Sequence, residues 1–182
     1  MSISNTRILL LLICLLWVMP AASGQLQLPK PAPTDTCPVC GMFVSKYPAW
    51  VATVHYRDGH SHHFDGAKDM FKYLLDLPRW APGHKADQIS AIGVTDYYGL
   101  QMIDARQAYY VIGSEVYGPM GHELVPLLTE EDAKEFMRDH HGVRVMRFDQ
   151  VRQILVDQPV RTDQLGDLFG GAVVRDQLVG TG

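Results

Sequence analysis

The sequence predicts an α+β protein made of two similar β-β-α-β units packed side by side. Three observations predict this. Short runs rich in β-branched and aromatic residues occur in both halves of the chain. Each half also holds one stretch with apolar residues at helical spacing, opened by a capping residue. Finally, the two helical stretches rhyme: Ala67-Lys68 is followed by Phe71, and Ala133-Lys134 by Phe136. Internal similarity of this kind marks repeated units, here placed at about residues 37–88 and 89–155.

The elements follow in order. Residues 25–36 hold Pro29, Pro31 and Pro33 among polar residues and read as an extended linker. Residues 49–56 read as a strand, Asp58-Gly59 as a hairpin turn, and residues 60–64 as the return strand. Asp65 is placed to cap a helix whose buried face is Ala67, Met70, Phe71, Leu74 and Leu75, with Pro78 ending it. After a loop over 80–88, residues 89–95 read as a strand, Tyr97-Tyr98-Gly99 as a turn, and 100–103 and 108–112 as two more strands. Residues 113–123, with Gly118, Pro119 and Gly121, read as a loop. Thr129 opens the second helix, with Asp132 placed to help cap it. That helix runs through Phe136 to His140-His141, where Gly142 suits a C-cap. Residues 143–148 close as a strand, a short helix follows near 151–155, and 156–182 is expected to be a mobile tail.

The start of the chain reads as an export signal. A polar stretch with one positive charge, Arg7, precedes the apolar run of residues 8–19, then Pro20 and the small residues Ala21-Ala22-Ser23-Gly24. A membrane-spanning helix needs about 20 apolar residues, so this run is too short. Residues 1–24 are therefore expected to be a signal peptide, cleaved after Ser23 or Gly24. Cys14 lies inside the apolar run behind Ile13, which is too large for a lipoprotein cleavage site. The expected location is the periplasm. A net charge of −4 and the lack of any Lys/Arg run argue against a nucleic-acid partner.

Only Cys37 and Cys40 remain after cleavage, too few and too close for a disulfide scaffold. Cys40-Gly41-Met42 sets a thiol and a thioether two residues apart around a permissive glycine. Soft sulfur ligands of this kind select Cu(I), whereas zinc sites use Cys, His and carboxylates. A methionine is otherwise most often a core filler. Met120, flanked by glycines in a loop, is a candidate third soft ligand, and His122 a weaker one. His60 and His62 share a strand face with His63 opposite, and His62 is a further weak candidate for metal capture. Two other readings stay open. Cys37-Pro38-Val39-Cys40 has thiol-disulfide oxidoreductase spacing, and Cys37 and Cys40 with two histidines would make a zinc-stabilised module. No nucleophile elbow, phosphate loop or carboxylate pair points to an enzyme.

The motif Cys37-Pro38-Val39-Cys40-Gly41-Met42, then Phe64-Asp65-Gly66 leading into Met70-Phe71-Lys72-Tyr73-Leu74, resembles the NosL family. The loop at 117–120 and the helix at 129–136 extend the likeness over roughly residues 37–155. The resemblance implies a periplasmic accessory protein that carries Cu(I) toward assembly of nitrous oxide reductase, working with an ABC-type copper-maturation membrane complex. It implies Cys40 and Met42 as copper ligands and Met120 as a third. Members are commonly lipoproteins, and here a usable lipobox is missing. Cys37 is an addition, either a spare ligand or a disulfide partner for Cys40.

Overall fold

A computed structural model describes residues 26–157 of the 182-residue chain. The expected signal peptide and all but the first residues of the expected tail lie outside the described residues.

The structure is a mixture of helices and antiparallel sheets. Strand β1 (Ala52–Tyr56) pairs with β2 (Ser61–Phe64) across a hairpin that sets Val54 opposite His62. The turn works as its sequence demands, with Gly59 at φ +93° and its N–H donating to Tyr56 O at 3.1 Å. β3 (Ile89–Thr95) pairs with the other edge of β1, and β4 (Met102–Asp104) extends the sheet, in the order β2-β1-β3-β4. The second sheet has β5 (Tyr109–Ile112) between β8 (Val125–Leu127) and β9 (Arg144–Arg147). Between β5 and β8 the chain makes a small separate ribbon of β6 (Tyr117–Gly118) and β7 (Gly121–His122). So the segment expected as a plain loop carries a hairpin. Ile89–Thr95, expected to open the second unit, instead belongs to the first sheet, and the sheets divide between β4 and β5.

Helix α1 (Ala67–Leu75) follows β2, and a short α2 (Leu77–Trp80) follows it directly. Pro78 does not end the first helix. It sits in the first turn of the second, where a missing N–H costs nothing. α3 (Glu130–Asp139) lies between β8 and β9, and α4 (Phe148–Asp157) follows β9. Thr129 caps α3 as expected, its hydroxyl oxygen accepting the Asp132 N–H at 3.1 Å. The other end differs. The left-handed residue is His141 (φ +54°), while Gly142 donates its N–H to Met137 O at 2.8 Å in a Schellman arrangement. Gly142 is needed for space: a Cβ there would lie 2.6 Å from Val111 Cγ1 and 3.1 Å from Met137 Cα.

α1 ties the two sheets together. Met70, Phe71 and Tyr73 are fully buried, each removing apolar surface worth about 2–3 kcal/mol from water. Phe71 meets Tyr110 of β5 edge-on at 5.3 Å and Phe148 of α4 at 4.9 Å. On the first sheet, Tyr73 shares a buried hydroxyl hydrogen bond of 2.6 Å with Tyr56. A smaller core of Val111, Val125, Leu127, Ala133 and Phe136 lies beneath α3. Residues 26–36, read as a linker, run against the sheet edge: the Leu26 N–H donates to Met102 O at 2.7 Å. A Cβ at Gly93 would collide with Met102 Sδ and Leu28 Cδ1, at 2.5 and 2.8 Å.

Candidate metal centre

The cysteine motif folds into a closed loop. Thr36 and Phe43 form an isolated antiparallel bridge. Inside it, Cys37 N–H donates to Met42 O and Gly41 N–H to Cys37 O, both at 2.8 Å. Gly41 sits at φ +79° with open space where a Cβ would stand, so the torsion requires the glycine and crowding does not. Val44, completely buried, pins the loop's end in the core.

This loop lies over the start of α1. Cys40 Sγ donates to Asp65 Oδ1 at 3.1 Å, and Cys37 Sγ reaches Asp69 Oδ2 at 3.6 Å. Asp69 lies in the first turn of α1 and Asp65 just ahead of its Gly66 N-cap, so both carboxylates reach the loop from the same end of the helix. One ligand atom from each of Cys37, Cys40, Asp65 and Asp69 lies within 4.8 Å of all the others. Both cysteines are free thiols, Cys37 only 1% exposed and Cys40 half-buried. Asp69 also holds Lys72 Nζ at 2.9 Å, while the second oxygen of Asp65 is enclosed without any hydrogen-bond partner. A buried carboxylate oxygen left unpaired is costly, and a cation would satisfy it. The hydrogen bond with Cys37, then burial, pushes the Cys40 thiol up, against a smaller downward pull from the Met42 N–H. Metal uptake must therefore displace a firmly held proton.

The β6–β7 hairpin is leashed to the same helix turn. Lys68, buried, donates through Nζ to Met120 O at 3.0 Å and His122 O at 2.5 Å. Its backbone N–H donates to Glu123 Oε1 at 2.6 Å, and Leu124 N–H donates to the same oxygen at 3.0 Å. Glu123 thus caps α1 from 55 residues away. Asp65 does not: the N-cap is Gly66, without a side-chain cap, and Asp65 turns to Cys40 instead. Burial pushes Glu123 up to about 7, while Lys68 and the two N–H donors hold it down.

Of the residues singled out from sequence, Cys37 and Cys40 come together. Met42 is half-buried in their loop. Met120, 47% exposed, is at the tip of the tethered hairpin. His122 packs its ring 4.8 Å from Tyr117, and its Nδ1 is enclosed without a partner. His62 lies elsewhere, its ring 5.3 Å from Tyr73 and 5.2 Å from His60. Among the described residues no histidine joins the thiol cluster. Sequence reasoning missed Asp69, Lys68 and Glu123 and gave Asp65 a capping role. The available signal was a charged pair, Lys68-Asp69, inside a helix otherwise destined for burial.

The NosL family profile matches residues 29–156. The copper-binding lipoprotein NosL of Stutzerimonas stutzeri is 30% identical over 127 residues, 69% of this chain and 66% of that protein's length. The crystal structure of the copper chaperone NosL from Shewanella denitrificans superposes with a TM-score of 0.59 at 26% identity, covering 70% of this chain and 97% of that one. The match runs through the cysteine loop, α1 and its tethered hairpin, and the chain belongs to the NosL family.

Proposed function

We propose that this chain is a periplasmic Cu(I) carrier that supplies copper for assembly of nitrous oxide reductase. The observation that carries the reading is Cys40: a half-buried free thiol in a glycine-turned loop, with Met42 beside it. The named relatives are described as a copper-binding lipoprotein and a copper chaperone. In this reading Cys40 loses its proton and becomes the anionic ligand. Met42 supplies a thioether, and Met120 swings in on its hairpin as the third, with Cys37 and His122 in reserve. Sulfur donors hold Cu(I) in preference to harder ions. A thioether on an exposed hairpin closes the site without locking it, which suits a carrier that must release its cargo. The receiving side is the reductase together with its ABC-type copper-maturation membrane complex.

Cu(I) titration against a competing chromophoric chelator, under reducing and anaerobic conditions, tests the site. Cys40→Ser should abolish binding, while Met42→Ala and Met120→Ala should each weaken it on the order of tenfold, about 1.4 kcal/mol. Equal affinity in wild type and Cys40→Ser would refute the proposal. Thiol-disulfide exchange is the rival reading, since Cys37 and Cys40 are free thiols at CxxC spacing. An insulin-reduction assay separates the two: turnover lost in Cys37→Ser would favour exchange.

One observation favours a second metal in the same place. The Cys37, Cys40, Asp65, Asp69 set, with its unpaired Asp65 oxygen, is a thiol and carboxylate cage of the kind zinc accepts. The carboxylates take the place of the histidines expected for a zinc module. Metal analysis of protein purified under reducing conditions distinguishes copper alone, zinc alone and both together.

A further inference from the structure

A second cluster of donors lies at the other end of β2. Asp58 and His60 flank the β1–β2 turn, and His84 reaches them from the segment after α2. One ligand atom from each of Asp58, His60 and His84 lies within 4.8 Å of the others. His60 lies five residues before Asp65, about 16 Å away at the rise of a strand, and the cluster shares no residue with the thiol loop.

The rings are held in place by Tyr56. His60 stacks on it at 4.5 Å and 7°, and His84 leans on it at 4.8 Å. Asp58 Oδ1 is 2.6 Å from His60 Nδ1 and also accepts the His60 N–H at 3.2 Å. That contact leaves His60 Nε2 to face inward, where it is enclosed and has no hydrogen-bond partner. A carboxylate on one ring nitrogen with the other presented is how proteins orient a histidine toward a metal. Two imidazoles on one tetrahedral ion, with metal–nitrogen bonds of about 2.0–2.1 Å, have ring centroids about 5 Å apart. The His60–His84 centroids are 4.7 Å apart, whereas His62 lies 5.2 Å from His60 but 6.5 Å from His84, too far to share the ion. Aromatic packing explains the stacking, but it leaves His60 Nε2 unsatisfied.

We propose that His60 Nε2 and His84, with Asp58 orienting the His60 ring, hold a borderline divalent cation at a second metal site, with Zn2+ as its simplest occupant. Imidazole donors without sulfur suit Zn2+, Ni2+ or Cu2+ better than Cu(I). A bound ion would staple the His84 segment to the β1–β2 hairpin. The proposal is independent of the copper reading.

Equilibrium dialysis of the full chain against Zn2+ tests it in a Cys37→Ser, Cys40→Ser background, which removes the thiol site. One equivalent should be retained, and adding His84→Ala should weaken its binding at least a hundredfold. No retention by the folded double variant, or retention unchanged by His84→Ala, overturns the site. Should the double variant fail to fold, the wild-type chain decides through its histidine side-chain 15N–1H spectrum. Zn2+ must shift the His60 and His84 ring signals, and unmoved rings at saturating Zn2+ leave the cluster as aromatic packing alone.

Discussion

The carboxylate that joins the Met120 hairpin to α1 makes a quantitative prediction. Glu123 is fully buried and titrates at about 7 in the folded chain, against an ordinary 4.5. The folded state therefore binds its proton more tightly than the unfolded chain does. Its contribution to stability is complete below the unfolded value and is lost as pH rises through the folded one. Between pH 5 and 8 that loss amounts to about 2–3 kcal/mol. Histidines pull the other way: His62 and His63 are held below their ordinary value, chiefly by burial, and favour the folded state as pH rises. A single stability curve mixes these effects, whereas the difference between wild type and Glu123→Gln isolates one. The amide keeps an oxygen that can accept the Lys68 and Leu124 N–H groups and does not titrate. Urea unfolding of both proteins at pH 5, 6, 7 and 8, with thiols reduced, should show wild type losing about 2–3 kcal/mol relative to Glu123→Gln across the series. A difference that stays constant within about 0.5 kcal/mol would refute the reasoning, because it would mean that Glu123 keeps its solution pKa.

Because the Cys40 thiol is pushed up, its proton is fully bound at neutral pH, and Cu(I) affinity should rise about tenfold per pH unit from 6 to 8. Chelator competition at three pH values measures that slope, and a flat profile would mean that no proton is released. Gly142→Ala should destabilise the chain by about 1–3 kcal/mol, since its Cβ meets Val111 and a Met137 backbone atom with little room to yield. The urea midpoint reports this. His141→Gly should stabilise by about 0.5–1 kcal/mol in the same assay by relieving a left-handed residue. It gives up only an exposed contact with Glu115, which is worth little.

Local signals were legible wherever one short segment contains its own cause. Asp58-Gly59 makes its turn because the left-handed torsion needs the glycine at that step. Thr129 and Asp132 start α3 because donor and acceptor are three residues apart. Gly41 takes its positive torsion in the cysteine loop for the same reason as Gly59. Errors arose where two remote segments share a role. Asp65 looked like a cap, but the helix is capped by Glu123, and Asp65 is left to the thiols. Gly142 looked like a C-cap set by its own segment, but what demands a glycine there is Val111, from another element, which fills the space of a Cβ.

The sequence by itself determined the α+β character, both principal helices, and the two cysteines and nearby methionine on which the copper reading rests. Hydrophobic period, turn residues and ligand softness are properties of neighbours along the chain. Only the tertiary structure decided that Asp65 and Asp69 complete the thiol cluster, that Lys68 leashes the Met120 hairpin to α1, and that His62 faces His60 and Tyr73 away from the sulfurs. The thiol and hairpin contacts join positions far apart in sequence. They exist because burying α1 between two sheets forces its charged first turn to find partners wherever the fold brings them.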